Sequence, residues 1–157
     1  MKQMVALLSV LAVLTALSSC RAAPPAPPSL QTVSCEVTAL TVDAEYRIDV
    51  RKETDELATY CFRFPAEADG LTYEFLGAKR RVSFHGSELP SSPALCGVAD
   101  VLHAALTLGS DAFRYEDGCY VAASDQGQIR LSVLSDGNVS RIEAPDVGIV
   151  YYFNYAP

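Results

Sequence analysis

The sequence predicts an α+β, mainly β domain: a largely antiparallel sheet with one amphipathic helix packed on it. Three observations predict it. From Thr32 onward the dominant hydrophobic period is two, the period of half-buried strands. Short turn signals built on glycine, aspartate and asparagine separate the alternating runs. One stretch, residues 93–108, changes to apolar spacings of three and four.

The strands come first. Tyr46, Ile48 and Val50 alternate with Arg47, Asp49 and Arg51, and Tyr60, Phe62 and Phe64 alternate with Cys61 and Arg63. Ile129, Leu131 and Val133 repeat the pattern, as do Ile149, Tyr151, Phe153 and Tyr155 near the C-terminus. Hairpin connections are expected at Leu76-Gly77-Ala78-Lys79, Glu116-Asp117-Gly118, Asp125-Gln126-Gly127 and Ser135-Asp136-Gly137-Asn138, so the strands should form a meander. The exception follows Leu89-Pro90-Ser91-Ser92-Pro93. There Leu95, Val98, Ala99, Leu102, Ala105 and Leu106 make a stripe on a helix of about four turns that Gly109 closes. A lone helix of that length is marginal in water, so the stripe should lie against the sheet. The expected order is five strands, one helix, then four or five strands, about nine in all.

The N-terminus has a different character. Lys2 supplies one positive charge, and residues 5–17 are apolar except for Ser9 and Thr15. That is the pattern of a cleaved export signal, and about 13 apolar residues are too few for the roughly 20 that cross a bilayer core. The run ends in Leu17-Ser18-Ser19-Cys20, which resembles the lipobox of bacterial lipoproteins: an aliphatic residue, two small ones, then the cysteine that becomes the lipidated first residue. The resemblance implies diacylglyceryl and amide-linked acyl chains on Cys20. Several chains hold firmly, because each buried CH₂ contributes about 0.8 kcal/mol. The expected division is therefore a signal segment 1–19, a lipidated cysteine with a Pro-rich tether 20–31, and a single domain 32–157. The expected location is the extracytoplasmic face of a cell membrane. Residues 21–31 read Arg-Ala-Ala-Pro-Pro-Ala-Pro-Pro-Ser-Leu-Gln, a tract that favours extended polyproline geometry and could span roughly 34 Å at about 3.1 Å per residue.

The whole chain of 157 residues carries a net charge of −7, and removal of 1–19 takes away Lys2 and no acid. An acidic chain of this kind is a poor partner for nucleic acid. With Cys20 set aside, Cys35, Cys61, Cys96 and Cys119 remain as an even set, either two disulfides of undetermined pairing or buried free thiols. Their spacings match no zinc motif, and no metal or cofactor is expected.

The block Phe64-Pro65 to Asp69-Gly70-Leu71-Thr72-Tyr73-Glu74, the Pro-flanked helix, and the close Leu134-Ser135-Asp136-Gly137, Ile142-Glu143-Ala144-Pro145, Gly148-Ile149 and Phe153-Asn154-Tyr155 resemble small lipoproteins of clostridia-like Gram-positive bacteria. The resemblance covers most of residues 32–156. More distantly, the element order is similar to the LolA, LolB and LppX group of lipoprotein carriers. That resemblance implies a half-barrel, a curved antiparallel sheet holding lipid chains on its concave face beneath a helix. Tyr60, Phe62, Phe64, Tyr73, Phe75, Leu102, Tyr151 and Phe153 are then candidates to line an apolar cavity, against the plainer reading that they fill a core.

Chemistry is harder to find. Ser83 and Ser87 flank His85, but residues two apart on a strand stand about 6.6 Å from each other, too far for a nucleophile and its base. Cys96 and His103 lie seven apart on the helix, about 10.5 Å along its axis, too far to share a metal. His103 is expected to be a satisfied or partly exposed histidine. Lys79-Arg80-Arg81 is the only basic triplet, either a solvated hairpin tip or a contact for anionic head groups. The expected function is a non-enzymatic, membrane-anchored binding lipoprotein that accepts lipid or another hydrophobic ligand. The alternative is a structural or assembly lipoprotein that contacts an envelope protein.

Overall fold

The computed structural model describes residues 26–90 and 96–155. Cys20, the signal segment, residues 21–25, the first residues of the expected helix (93–95) and the side chain of Cys96 lie outside them. Six strands precede the helix: β1 (Val33–Leu40), β2 (Glu45–Thr54), β3 (Leu57–Phe64), β4 (Leu71–Leu76), β5 (Lys79–Phe84) and β6 (Ser87–Glu88). After α1 (Cys96–Leu106) come β7 (Arg114–Glu116), β8 (Cys119–Ser124), β9 (Gly127–Val133), β10 (Val139–Ala144) and β11 (Ile149–Asn154).

All eleven strands join one antiparallel sheet in the order β6-β5-β4-β3-β2-β1-β11-β10-β9-β8-β7. The chain runs as two meanders, and β11 closes against β1 with Ala39 opposite Tyr151. The count is eleven rather than nine because the outermost strands are too short to show a period. β6 has two residues and β7 three, all exposed. Their brevity leaves little free ladder at either open edge, which discourages pairing with other chains.

Period two decides which face is buried. Val37 and Ala39, Ile48 and Val50, Ala58, Tyr60 and Phe62, Leu71, Tyr73 and Phe75, Ile129 and Leu131, and Tyr151 and Phe153 all point to one side and are buried. The opposite side carries cross-strand ion pairs such as Arg63–Asp49 at 2.7 Å and Arg81–Glu74 at 3.4 Å. The sheet also curls. Phe75 on β4 and the β8–β9 turn border one cleft, although β4 and β9 are six strands apart in the sheet order, about 29 Å in a flat sheet.

The helix stops earlier than expected. It ends at Leu106, where the Thr107 hydroxyl donates to the carbonyls of His103 (2.9 Å) and Ala104 (3.2 Å), competing with continuation of the helix. Among the described residues no helix is long and apolar enough to cross a membrane.

Candidate functional site: the helix-covered face of the sheet

Helix α1 lies on the apolar face because its own stripe has nowhere else to go. Val98, Ala99, Val101, Leu102, Ala105 and Leu106 are all buried, so Val101 joins the stripe read from sequence. Three polar contacts fix the helix over the aromatic residues. The Tyr151 hydroxyl donates to the Val98 carbonyl at 2.8 Å. The Tyr60 hydroxyl meets Nδ1 of His103 at 3.0 Å, and the His103 ring stacks on Phe75 with centroids 3.7 Å apart. Arg80 on β5 grips the Asp100 carboxylate with Nη1 at 2.6 and 2.5 Å from its two oxygens.

Burial pushes the Tyr60 and Tyr151 phenols far above their ordinary values, so both remain protonated. His103 moves the other way. Burial, and then the charge of Lys52, lower its pKa from the usual 6.5, against smaller opposing effects of Asp100 and Asp55. The imidazole is therefore neutral at pH 7.

Tyr60, Phe62, Tyr73, Phe75, Tyr151 and Phe153 from the sheet and Leu102 from the helix are brought together as a buried cluster. Phe64 is not. A register shift between Arg47 and Ile48 sets Phe64 opposite Arg47, where it is 39% exposed with the guanidinium 5.0 Å from its ring. Beneath the helix these side chains belong to one buried cluster. Beside it a cleft of about 420 Å³ opens between Phe75, the His103–Leu108 side of the helix and the β8–β9 turn at Ser124, Asp125 and Gln126.

The described part of the Pro-rich tract is also packed on the domain. Pro28 and Leu30 are buried, and Leu30 belongs to the hydrophobic core. The ammonium of Lys52, whose side chain is wholly buried, donates to the Leu30 and Gln31 carbonyls and to Asp55 Oδ1 at 2.6 Å. The Tyr120 hydroxyl donates to the Ala26 carbonyl at 2.8 Å.

Lys52 is not among the residues expected from sequence, and Arg80, expected at a hairpin tip or a head-group contact, holds the helix instead. The signal was present in both cases. Lys52 continues the inward series Ile48, Val50, and Arg80 shares the inward parity of Val82 opposite Phe75. A cation at an inward position is conspicuous in an alternating strand.

Other sequence candidates are dispersed. His85 does not sit on a strand with Ser83 and Ser87. It forms the β5–β6 turn with φ 48°, and its ring lies beside Gly70. Cys35, Cys61 and Cys119 are free thiols, not members of disulfides. Cys35 shares the buried face with Val50, its cross-strand partner, whereas Cys61 pairs with Asp49 on the opposite face, so the sheet itself keeps them apart. Burial pushes the Cys35 thiol up to about 12. Among the described residues no group of three His, Cys, Asp or Glu side chains comes together as a metal site.

No family model matches the chain, and no curated protein matches it. Among solved structures, it is similar to the crystal structure of a LolA superfamily protein from Nitrosomonas europaea at a TM-score of 0.44 and 15% identity, over 84% of this chain and 87% of that one. Among the described residues, the open antiparallel sheet follows from the chain's own strand pairing, and the buried stripe of α1 sets the helix against it.

Proposed function

We propose that this protein is an exported lipoprotein, held on a membrane surface by lipid on Cys20, whose domain binds an apolar ligand of the lipid class on the helix-covered face of its sheet. One observation carries the reading: a single helix covers a broad aromatic face, fastened by a few polar contacts, with a cleft open along one side.

Magnitudes make an exchange of helix for ligand reasonable. Burial of Val98, Val101, Leu102 and Leu106 contributes about 1.5–3 kcal/mol each, on the order of 8 kcal/mol together. A saturated chain burying about a dozen methylenes contributes a comparable amount at about 0.8 kcal/mol per CH₂. The Arg80–Asp100 pair is about one-third exposed on each side and adds only about 1 kcal/mol of resistance. An acyl chain could therefore take the place of the helix on the same surface. Binding rather than catalysis also suits the titrating groups. The protonated Tyr60 phenol and the stacked His103 ring offer no activated nucleophile.

Lipid mass spectrometry on protein released from its native membrane, together with binding of a fluorescent fatty-acid probe, tests the proposal. Co-purifying lipid and a probe affinity that rises several-fold in Arg80→Ala are expected. An absence of both, in the wild type and in Arg80→Ala, would overturn it.

A second reading rests on the rim where the β1–β2 and β10–β11 turns meet. Val42 is 89% exposed beside Gly148 and close to the exposed Val147, an apolar tip suited to a protein partner in the envelope.

A further inference from the structure

We propose that residues 26–31 form a releasable strap, a second cover on the domain whose docking also shortens its leash to the membrane. The proposal rests on the lipid-anchored, ligand-binding reading above. The docked segment runs from the β2–β3 turn to β8. At one end Lys52 holds the Leu30 and Gln31 carbonyls while paired with Asp55, and at the other Tyr120 holds the Ala26 carbonyl. Between these pins Pro28 and Leu30 are buried, and the Leu30 side chain plugs the core. The strap runs beside Leu108, Gly109, Ser110 and Asp111, the segment that follows α1, and a cleft of about 330 Å³ lies between the two. The strap and the segment that leaves α1 thus border one opening.

The geometry makes the strap removable. Residues 26–31 belong to no strand, so no sheet ladder holds them, and among the described residues side-chain pins from Lys52 and Tyr120 and the buried Pro28 and Leu30 attach them. The prolines keep the segment extended whether docked or free, so docking costs little chain entropy and release regains little. The equilibrium is set by what occupies the site of Leu30 and by the two pins. An acyl chain entering beneath the helix competes with Leu30 for the same apolar core. With the strap docked, Ala26 is six residue steps from Cys20, a reach of about 19 Å at about 3.1 Å per residue. With it released, the leash runs to Val33 at about 40 Å. Occupancy then lengthens the reach of the domain from its membrane.

The chain contains no tryptophan, so Val42→Trp on the far rim supplies a unique reporter. The full lipidated chain is reconstituted in phosphatidylethanolamine and phosphatidylglycerol vesicles carrying a dansyl head-group acceptor. Energy transfer and hydrogen exchange at residues 29–31 are then followed in the Val42→Trp background, with Lys52→Met and with the milder Tyr120→Phe. The expected result is exchange of the strap amides at least about tenfold faster in both variants, with reduced energy transfer and unchanged exchange in β1–β3. Palmitate added to the unmodified strap should produce the same two changes. Strap exchange already as fast without substitution, transfer unaffected by release, or no response to palmitate would overturn the proposal. Failure of the anchor reading is separately visible, because an unlipidated chain does not float with the vesicles, while exchange at 29–31 still decides whether the strap is docked.

Discussion

Gly70 shows how much a single backbone position can control. It has φ +84°, its N–H donates to the Phe62 carbonyl, and its carbonyl accepts from the His85 N–H, so it ties the β3–β4 connection to the β5–β6 turn. A Cβ added there would collide with the His85 ring. Gly77, in the β4–β5 turn, has a similar φ of +60° but open space around it. Both substitutions to alanine incur the left-handed penalty of about 1–2 kcal/mol, and only Gly70→Ala also has to displace a ring. Urea unfolding should therefore show Gly70→Ala less stable than Gly77→Ala by about 1–2 kcal/mol. The double variant Gly70→Ala/His85→Ala should recover most of that difference, and equal losses in the two single variants would refute the ring contact.

At the level of elements, α1 is the part whose attachment depends on pH. The folded state lowers the pKa of His103 from 6.5, so the unfolded chain, or a chain with the helix lifted, takes up a proton first as the pH falls. The sign follows directly: the contribution of the neutral, Tyr60-bonded imidazole is complete above about pH 6.5 and is lost as the pH falls below that value. Hydrogen exchange of α1 amides should accelerate between pH 7 and pH 5, after correction for intrinsic rates, relative to amides of β1 and β2. His103→Gln retains a hydrogen-bonding side chain without a titration in that range, so its exchange profile should flatten. An equally steep profile in His103→Gln would assign the effect elsewhere. The existence of the helix was legible from the spacing of Val98, Leu102, Ala105 and Leu106. Its fastening was not, because Arg80, Tyr60 and Tyr151 reach it from strands distant in sequence, and local periodicity contains no information about such pairs.

For the whole molecule, the parts written in local pattern were the readable ones: the alternating long strands, the hairpin turns and the single helix. The short edge strands β6 and β7 have no period to read, and the docking of residues 26–31 depends on Lys52 and Tyr120, contributed by strands on different parts of the sheet. The even set of four cysteines also invited a reading that composition alone could not decide. In the folded chain Cys35, Cys61 and Cys119 are free, which leaves Cys96 no described partner for a disulfide. Among the described residues it is the continuous core from Leu30 to Phe153 that holds the domain together. A native disulfide typically contributes about 2–5 kcal/mol, and for a domain of this size each kcal/mol moves the melting temperature by about 2–4 °C or more. Removal of even one bridge would therefore lower Tm by roughly 4 °C at the least. The domain expressed without residues 1–20 should instead melt within about 1 °C of the same temperature with and without dithiothreitol. Mass spectrometry under denaturing, alkylating conditions should find four modified cysteines without prior reduction. A reductant-dependent drop of several degrees, or only two alkylated cysteines, would show that the chain closes a bridge and that Cys35, Cys61 and Cys119 are not all free.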